Sequence, residues 1–168
     1  MCYFPLLLIV FSSSVPAATG LCLDQEQVIF HCETDRASKW LSVCAANNME
    51  GKEAFLQYRF GTPGKIELVF PEHKHNSINQ FRYSHYFRYQ VDREELSFDR
   101  QGYSYSVFHD YEGDSGPPET FEGVIVTRSG SFEAISEIRC KKPAINRLHT
   151  LEAIVPCDRN DDLGGCER

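Results

Sequence analysis

Four of the six histidines are the residues whose type is best suited to chemistry. His73 and His75 flank Lys74 in "HKH", and with His85 and His109 they offer imidazole nitrogens of the kind that bind zinc or copper. On a strand His73 and His75 share a face, as a metal site in a hydrolase would require. The segment follows Pro71 and runs into "NSINQ", so a solvated loop is the better reading, and no metal or other cofactor is expected.

Other constellations fail on spacing. In "HDYEGDSGPPE" the carboxylates of Asp110, Glu112 and Asp114 alternate, but Ser115 and Phe121 stand where a calcium loop of the EF-hand kind needs Gly and Glu. "GDSGP" has the letters that surround a serine-protease nucleophile, yet the rest of that pattern is missing and the chain is too short for two barrels. His109 and Asp110, like Glu94 and Glu95, are adjacent and point to opposite faces of a strand, so neither is a ready-made pair. No catalytic residue is assigned.

The run "QFRYSHYFRYQV", Gln80 to Val91, crowds aromatic rings and arginines together. As a strand it turns Phe81, Tyr83, His85, Phe87, Tyr89 and Val91 one way, a core-like face with a histidine in it. Arg82, Ser84, Tyr86, Arg88, Gln90 and Asp92 turn the other way. Rings and arginines therefore sit on opposite faces, unlike a base-stacking platform. The formal net charge of -7 also argues against a phosphate backbone, and nucleic acid is excluded as a partner. Tyr86 between Arg82 and Arg88 is the weak candidate for contact with a protein or an envelope component.

The compartment follows from the chain's first residues. An apolar run from Tyr3 to Phe11, then small residues, has the form of a secretory signal, so residues 1–20 are expected to be removed and residues 21–168 to form a single exported β domain, periplasmic or secreted. The run is shorter than the roughly 20 residues that cross a bilayer, and no later stretch is apolar enough to span a membrane. Cys22 is the residue a lipoprotein signal would modify, but Leu21 stands where that signal needs a small side chain.

Cys2 leaves with the signal. Cys22, Cys32, Cys44, Cys140, Cys157 and Cys166 remain, an even set that reads as disulfides in an exported chain. A zinc site would want cysteines paired roughly two to four residues apart, and there are none. If residues 27–32 and 39–45 form a hairpin, Cys32 lies near Lys39 and Cys44 near Gln27. Their Cα atoms are then beyond the reach of about 7 Å that a bridge allows. Each must look elsewhere, to Cys140 or Cys157; without a regular hairpin, a Cys32 to Cys44 bridge is simplest.

Short alternating runs broken by Gly, Pro, Asn and Asp fill the rest and predict a mainly β, disulfide-braced antiparallel sandwich or barrel of about nine strands. In "FLQYRFGTPGKIELVF" the apolar faces coincide if Phe60 lies opposite Ile66, which makes "GTPGK" the loop and sets Arg59 against Glu67 on the outer face. "DRQG" predicts a turn before Tyr103, and Ser129 and Gly130 predict another. "PAINRLHTLEAIV" reads either as a short helix or as an extended segment ending in a strand at residues 153–156.

The runs "CETDRASKWLSVCA", "LQYRFGTPGKIELVFPE", "FRYSHYFRYQVDREELSF" and "GYSYSVFHDYEG" resemble a family of uncharacterised exported bacterial proteins. The resemblance covers most of the mature chain through Cys157 and implies export and a β-rich domain, with no catalytic residue. The function expected is a non-catalytic exported interaction module, one form of which inhibits a basic envelope-degrading enzyme such as a lysozyme. The alternatives are a small-ligand carrier, with Phe81, Tyr83, Phe87, Tyr103 and Tyr105 lining a barrel, and a metal-assisted hydrolase.

Overall fold

The computed structural model describes residues 20–141 and 144–160. The expected signal peptide, apart from Gly20, lies outside them, as does Cys166. β1 (Glu26–Glu33), β2 (Trp40–Ala46), β3 (Leu56–Thr62) and β4 (Lys65–Phe70) form an antiparallel meander. The two-residue β10 (Ile145–Asn146) adds to the free side of β1 and completes sheet 1. β5 (Arg82–Arg88), β6 (Val91–Arg100), β7 (Tyr103–Glu112), β8 (Glu119–Arg128) and β9 (Ala134–Arg139) form a second meander, sheet 2. The ten strands thus make a sandwich of two open five-stranded sheets, not a closed barrel.

Period-two alternation builds the core between the sheets. Leu41, Val43 and Ala45 of β2 and Leu56 and Tyr58 of β3 pack in one cluster with Leu96, Phe98, Val107 and Val124 of sheet 2. Phe98 stacks between Phe70 at 4.2 Å and Tyr105 at 5.0 Å between ring centroids. Each such buried ring contributes roughly 1.5–3 kcal/mol. Phe81 and Tyr83 belong to this filled core, whereas Phe87 and Tyr103 are exposed, so the rings assigned to a carrier's interior do not line one cavity.

The β3–β4 register differs from the sequence-based expectation. Phe60 lies opposite Leu68 and Gly61 opposite Ile66, with a bulge between them that shifts the returning strand by one residue. Gly61 permits it, because a Cβ there would meet the Lys65 carbonyl at 2.5 Å. Arg59 consequently faces Val69 rather than Glu67, and it is buried. Its face of the sheet is covered by residues 20–25: Leu21 N donates to Ser42 Oγ, and Arg59 Nη1 donates to Leu21 O.

The run ending at Val91 is not one strand. β5 stops at Arg88 and the chain reverses through Tyr89 and Gln90, Gln90 taking a φ of +59°. The next hairpin turns on Gln101 and Gly102, both at positive φ, so Asp99 and Arg100 of the expected turn stay in β6. The β8–β9 hairpin turns at Ser129 and Gly130 as expected. The last segment makes β10 and a 3-10 turn at Leu148–Leu151 that buries Leu148 and Leu151. It then runs beside β5, with a bridge of Tyr83 to Cys157 in place of a strand at residues 153–156.

The first hairpin forms, with a bulge between Val28 and Phe30: Val28 faces Cys44 and Cys32 faces Leu41, so the two cysteines are held apart. Cys32 bridges to Cys140 at a Cα separation of 5.6 Å, which ties sheet 1 to the end of β9. Cys44 bonds Cys22 at 5.4 Å rather than a late cysteine, because residues 20–25 lie across the outer face of β2. Cys157 is also disulfide-bonded.

Candidate functional site

The ten-residue strands β6, β7 and β8 outrun the six- to eight-residue strands β1 to β4. Their core-facing positions go on past the apolar rows to polar residues. One step beyond the row Tyr83, Leu96, Val107, Val124, the cross-strand partners are His85, Glu94, His109 and Glu122. One step further stand Phe87, Asp92, Tyr111 and Thr120. Ladder partners on one face are neighbours in space, so imidazoles and carboxylates alternate across four strands.

Each carboxylate in this row is held. Glu94 accepts from Tyr83 OH at 2.9 Å and from Asn146 Nδ2 at 2.8 Å. Glu122 accepts from Ala144 N at 2.5 Å and lies 2.8 Å from His109 Nδ1. His85 Nε2 lies 2.8 Å from Asp92, and Glu152 approaches its other nitrogen at 3.8 Å. Burial, then the charge and hydrogen bond of Glu94, push the Tyr83 phenol up, so it stays a donor. The hydrogen bond to Glu122 raises the His109 pKa against its burial, helped by the charges of Glu122, Glu94 and Asp92. Segment 144–152 is thereby fastened over the row.

Beyond this seam the β5–β6 hairpin tip stands in solvent, with Phe87 72% and Tyr89 82% exposed. It is braced by Arg88 on Asp114 at 2.6 Å, by Arg93 on Glu112, and by Gly113 N donating to Gln90 O. Arg82, Tyr86 and Arg88 do share the outer face of β5, but all three are engaged, Tyr86 through a hydrogen bond with Arg88. Arg82 donates to Asn79 O and Phe81 O, and Arg88 pairs with Asp114. Of the exposed rings, Phe87 is on the opposite face of β5 and Tyr89 is in the turn at the tip.

Of the four histidines weighed as metal ligands, His85 and His109 stand in one row with Glu94 between them, while His73 and His75 are exposed in the segment after β4. Among the described residues the one trio of ligand atoms within 4.8 Å is Cys22, Glu26 and Cys44, whose sulfurs are joined in a disulfide. Glu94 and Glu122 were not recognisable alone as partners of the histidines. The available signal was a polar residue at core parity in four consecutive strands. Asp110 points away from His109, as adjacency dictates, and Asp114 serves Arg88.

The fold and this surface define a disulfide-braced antiparallel β-sandwich with an acidic, imidazole-lined shelf and an aromatic hairpin tip at one end. No family model, curated protein or solved structure matches the chain. Among the described residues no helix is long and apolar enough to cross a membrane.

Proposed function

We propose that the protein is an exported, non-catalytic interaction module, periplasmic or secreted, that docks a basic protein partner on the overhang of sheet 2. The observation that carries this reading is the pair Phe87 and Tyr89, 72% and 82% exposed at a braced hairpin tip beside Asp92. Large rings held rigid in solvent are what binding hot spots are made of. Asp92 and Glu152, whose side chains beside His85 are partly exposed, and the net charge of -7 select a cationic partner. Two disulfides between described cysteines, Cys22–Cys44 and Cys32–Cys140, support an oxidising compartment.

A lysozyme is the probe of choice, being basic and acting on the cell envelope. Calorimetric titration at low salt is expected to give a complex whose affinity falls as salt is added, with inhibition of the enzyme. The Phe87→Ala/Tyr89→Ala variant should weaken it at least about tenfold with unchanged stability. Absence of binding at low salt, or binding indifferent to the double variant, rejects this partner and this surface respectively.

A further inference from the structure

The outer face of sheet 2 carries a second feature, independent of the hairpin tip. A groove of about 820 Å³ runs over β6, β7 and β8, within the size range of small-ligand sites. Its floor is made by short hydroxyl side chains at outward positions: Ser97 opposite Ser106, and Ser104 opposite Thr127. Outward positions of strands favour β-branched and aromatic residues. Serines on neighbouring strands leave a trough instead. One wall is the β8–β9 hairpin with Phe132, 74% exposed; the other is the segment at Asp158 that runs beside β5.

Hydroxyls and carboxylates dominate the lining, with the amides of Asn79, Gln80 and Asn160 beside them and Ile125, opposite Ser106, as an apolar spot on the floor. Ser129 Oγ donates to Asp99 at 2.9 Å, Ser104 Oγ donates to the same carboxylate, and Ser97 Oγ donates to Asp158 at 2.8 Å. With these protons directed at carboxylates, the hydroxyls keep lone pairs to offer, and each carboxylate oxygen can accept more than one hydrogen bond; Asp158 already accepts from Asn160 N through its other oxygen. Glu95, Asp99 and Asp158 against the single Arg82 make the groove hostile to anions. An apolar chain would strip water from hydroxyls and carboxylates without replacing their hydrogen bonds. A peptide has no main-chain edge to join here, because β6, β7 and β8 are paired on both sides.

What remains is a ligand rich in donors, neutral, and with apolar ring faces to lie on Phe132. We propose that this groove binds a neutral oligosaccharide strand, its hydroxyl or amide protons on Asp99, Asp158 and the serines and one sugar face on Phe132.

The test is a titration of ¹⁵N-labelled protein with N-acetylglucosamine tetramer and with cellotetraose, and in parallel with tetragalacturonate and tetralysine. One or both neutral sugars should shift the amides of Ser97, Ser104, Ser106 and Thr127 at millimolar concentration or below. Phe132→Ala and Ser106→Val, which fills the trough with a good strand former, should each weaken binding at least about tenfold. The proposal is overturned if neither neutral sugar binds, if their shifts map elsewhere, or if tetralysine or tetragalacturonate alone occupies the groove.

Discussion

Arg59 and Glu26 meet through two parallel hydrogen bonds, Nη1 to Oε2 at 2.6 Å and Nη2 to Oε1 at 2.8 Å, with side chains only 6% and 1% exposed. The pair is fully dressed. Arg59 also donates to Leu21 O and Gln57 Oε1, and Glu26 accepts from Leu23 N and Lys74 Nζ. Burial pushes the Glu26 carboxyl up, but hydrogen bonds from Arg59, Leu23 N and Lys74 outweigh it and hold the pKa at about 2.

A carboxylate depressed in the folded state stabilises the fold above its unfolded pKa, and that contribution is lost as pH falls toward the folded value. Between the ordinary 4.5 and about 2, wild type therefore loses stability that Glu26→Gln never had. Near neutral pH the variant, which leaves the Arg59 charge buried without its counter-ion, should be destabilised by about 3 kcal/mol. Urea denaturation at both pH values checks this; a gap that stays constant down to pH 2 refutes the role of the Glu26 charge.

His109 and His31 make opposite pH demands. The Glu122 hydrogen bond lifts His109 above 6.5, so its contribution is complete below pH 6.5 and disappears as pH rises through the raised value. Burial lowers His31, against a hydrogen bond to Leu41 O, so the folded state favours its neutral form. Stability from His31 is then complete above 6.5 and lost as pH falls below it. Thermal melts across this window should show the advantage of wild type over His109→Gln shrinking on the alkaline side. With His31→Gln the advantage should shrink on the acid side. Parallel curves for wild type and both variants would contradict both assignments.

The alternation of apolar and polar residues made the strands and the sandwich class legible, because one face of each strand had to meet a core. Turn position was legible at Ser129 and Gly130, whereas register was not legible. The bulge at Gly61 slipped Ile66 out to solvent and sent Arg59 to a partner, Glu26, that lies far away in sequence. The same limit hid the row of His85, Glu94, His109 and Glu122. Each looks like a stray polar residue in its own strand, and only the ladders of sheet 2 set them side by side. Tyr89 looked like a strand residue because nothing local marks Gln90 as the turn.

The two bridges should differ in worth. Cys32–Cys140 closes a loop of 108 residues and joins the two sheets, whereas Cys22–Cys44 closes 22 and fastens the first described segment. On chain entropy alone the longer loop contributes about 4.7 kcal/mol and the shorter about 3 kcal/mol. Cys32→Ala/Cys140→Ala should therefore unfold at lower denaturant than Cys22→Ala/Cys44→Ala. The reverse order would mean that strapping residues 20–25 over Ser42 and Arg59 matters more than tying the sheets.

Gly123 of β8 lies opposite Arg139 of β9 and has no room for a side chain. A Cβ there would stand 2.1 Å from Ile138 O and 3.1 Å from Arg139 Cα, both backbone atoms that cannot rotate aside. Gly123→Ala must push β9 off β8 just where Cys140 N donates to Glu122 O, next to the Cys32–Cys140 bridge and to the carboxylate that holds His109. A loss of about 3 kcal/mol is expected, together with faster amide exchange in β9. Gly130, at a φ of +82° in the next turn with open space around it, is the control: Gly130→Ala should cost only about 1 kcal/mol, from the left-handed backbone alone. Equal costs at the two positions would show that β9 yields freely, and that the bridge rather than the ladder keeps it in place.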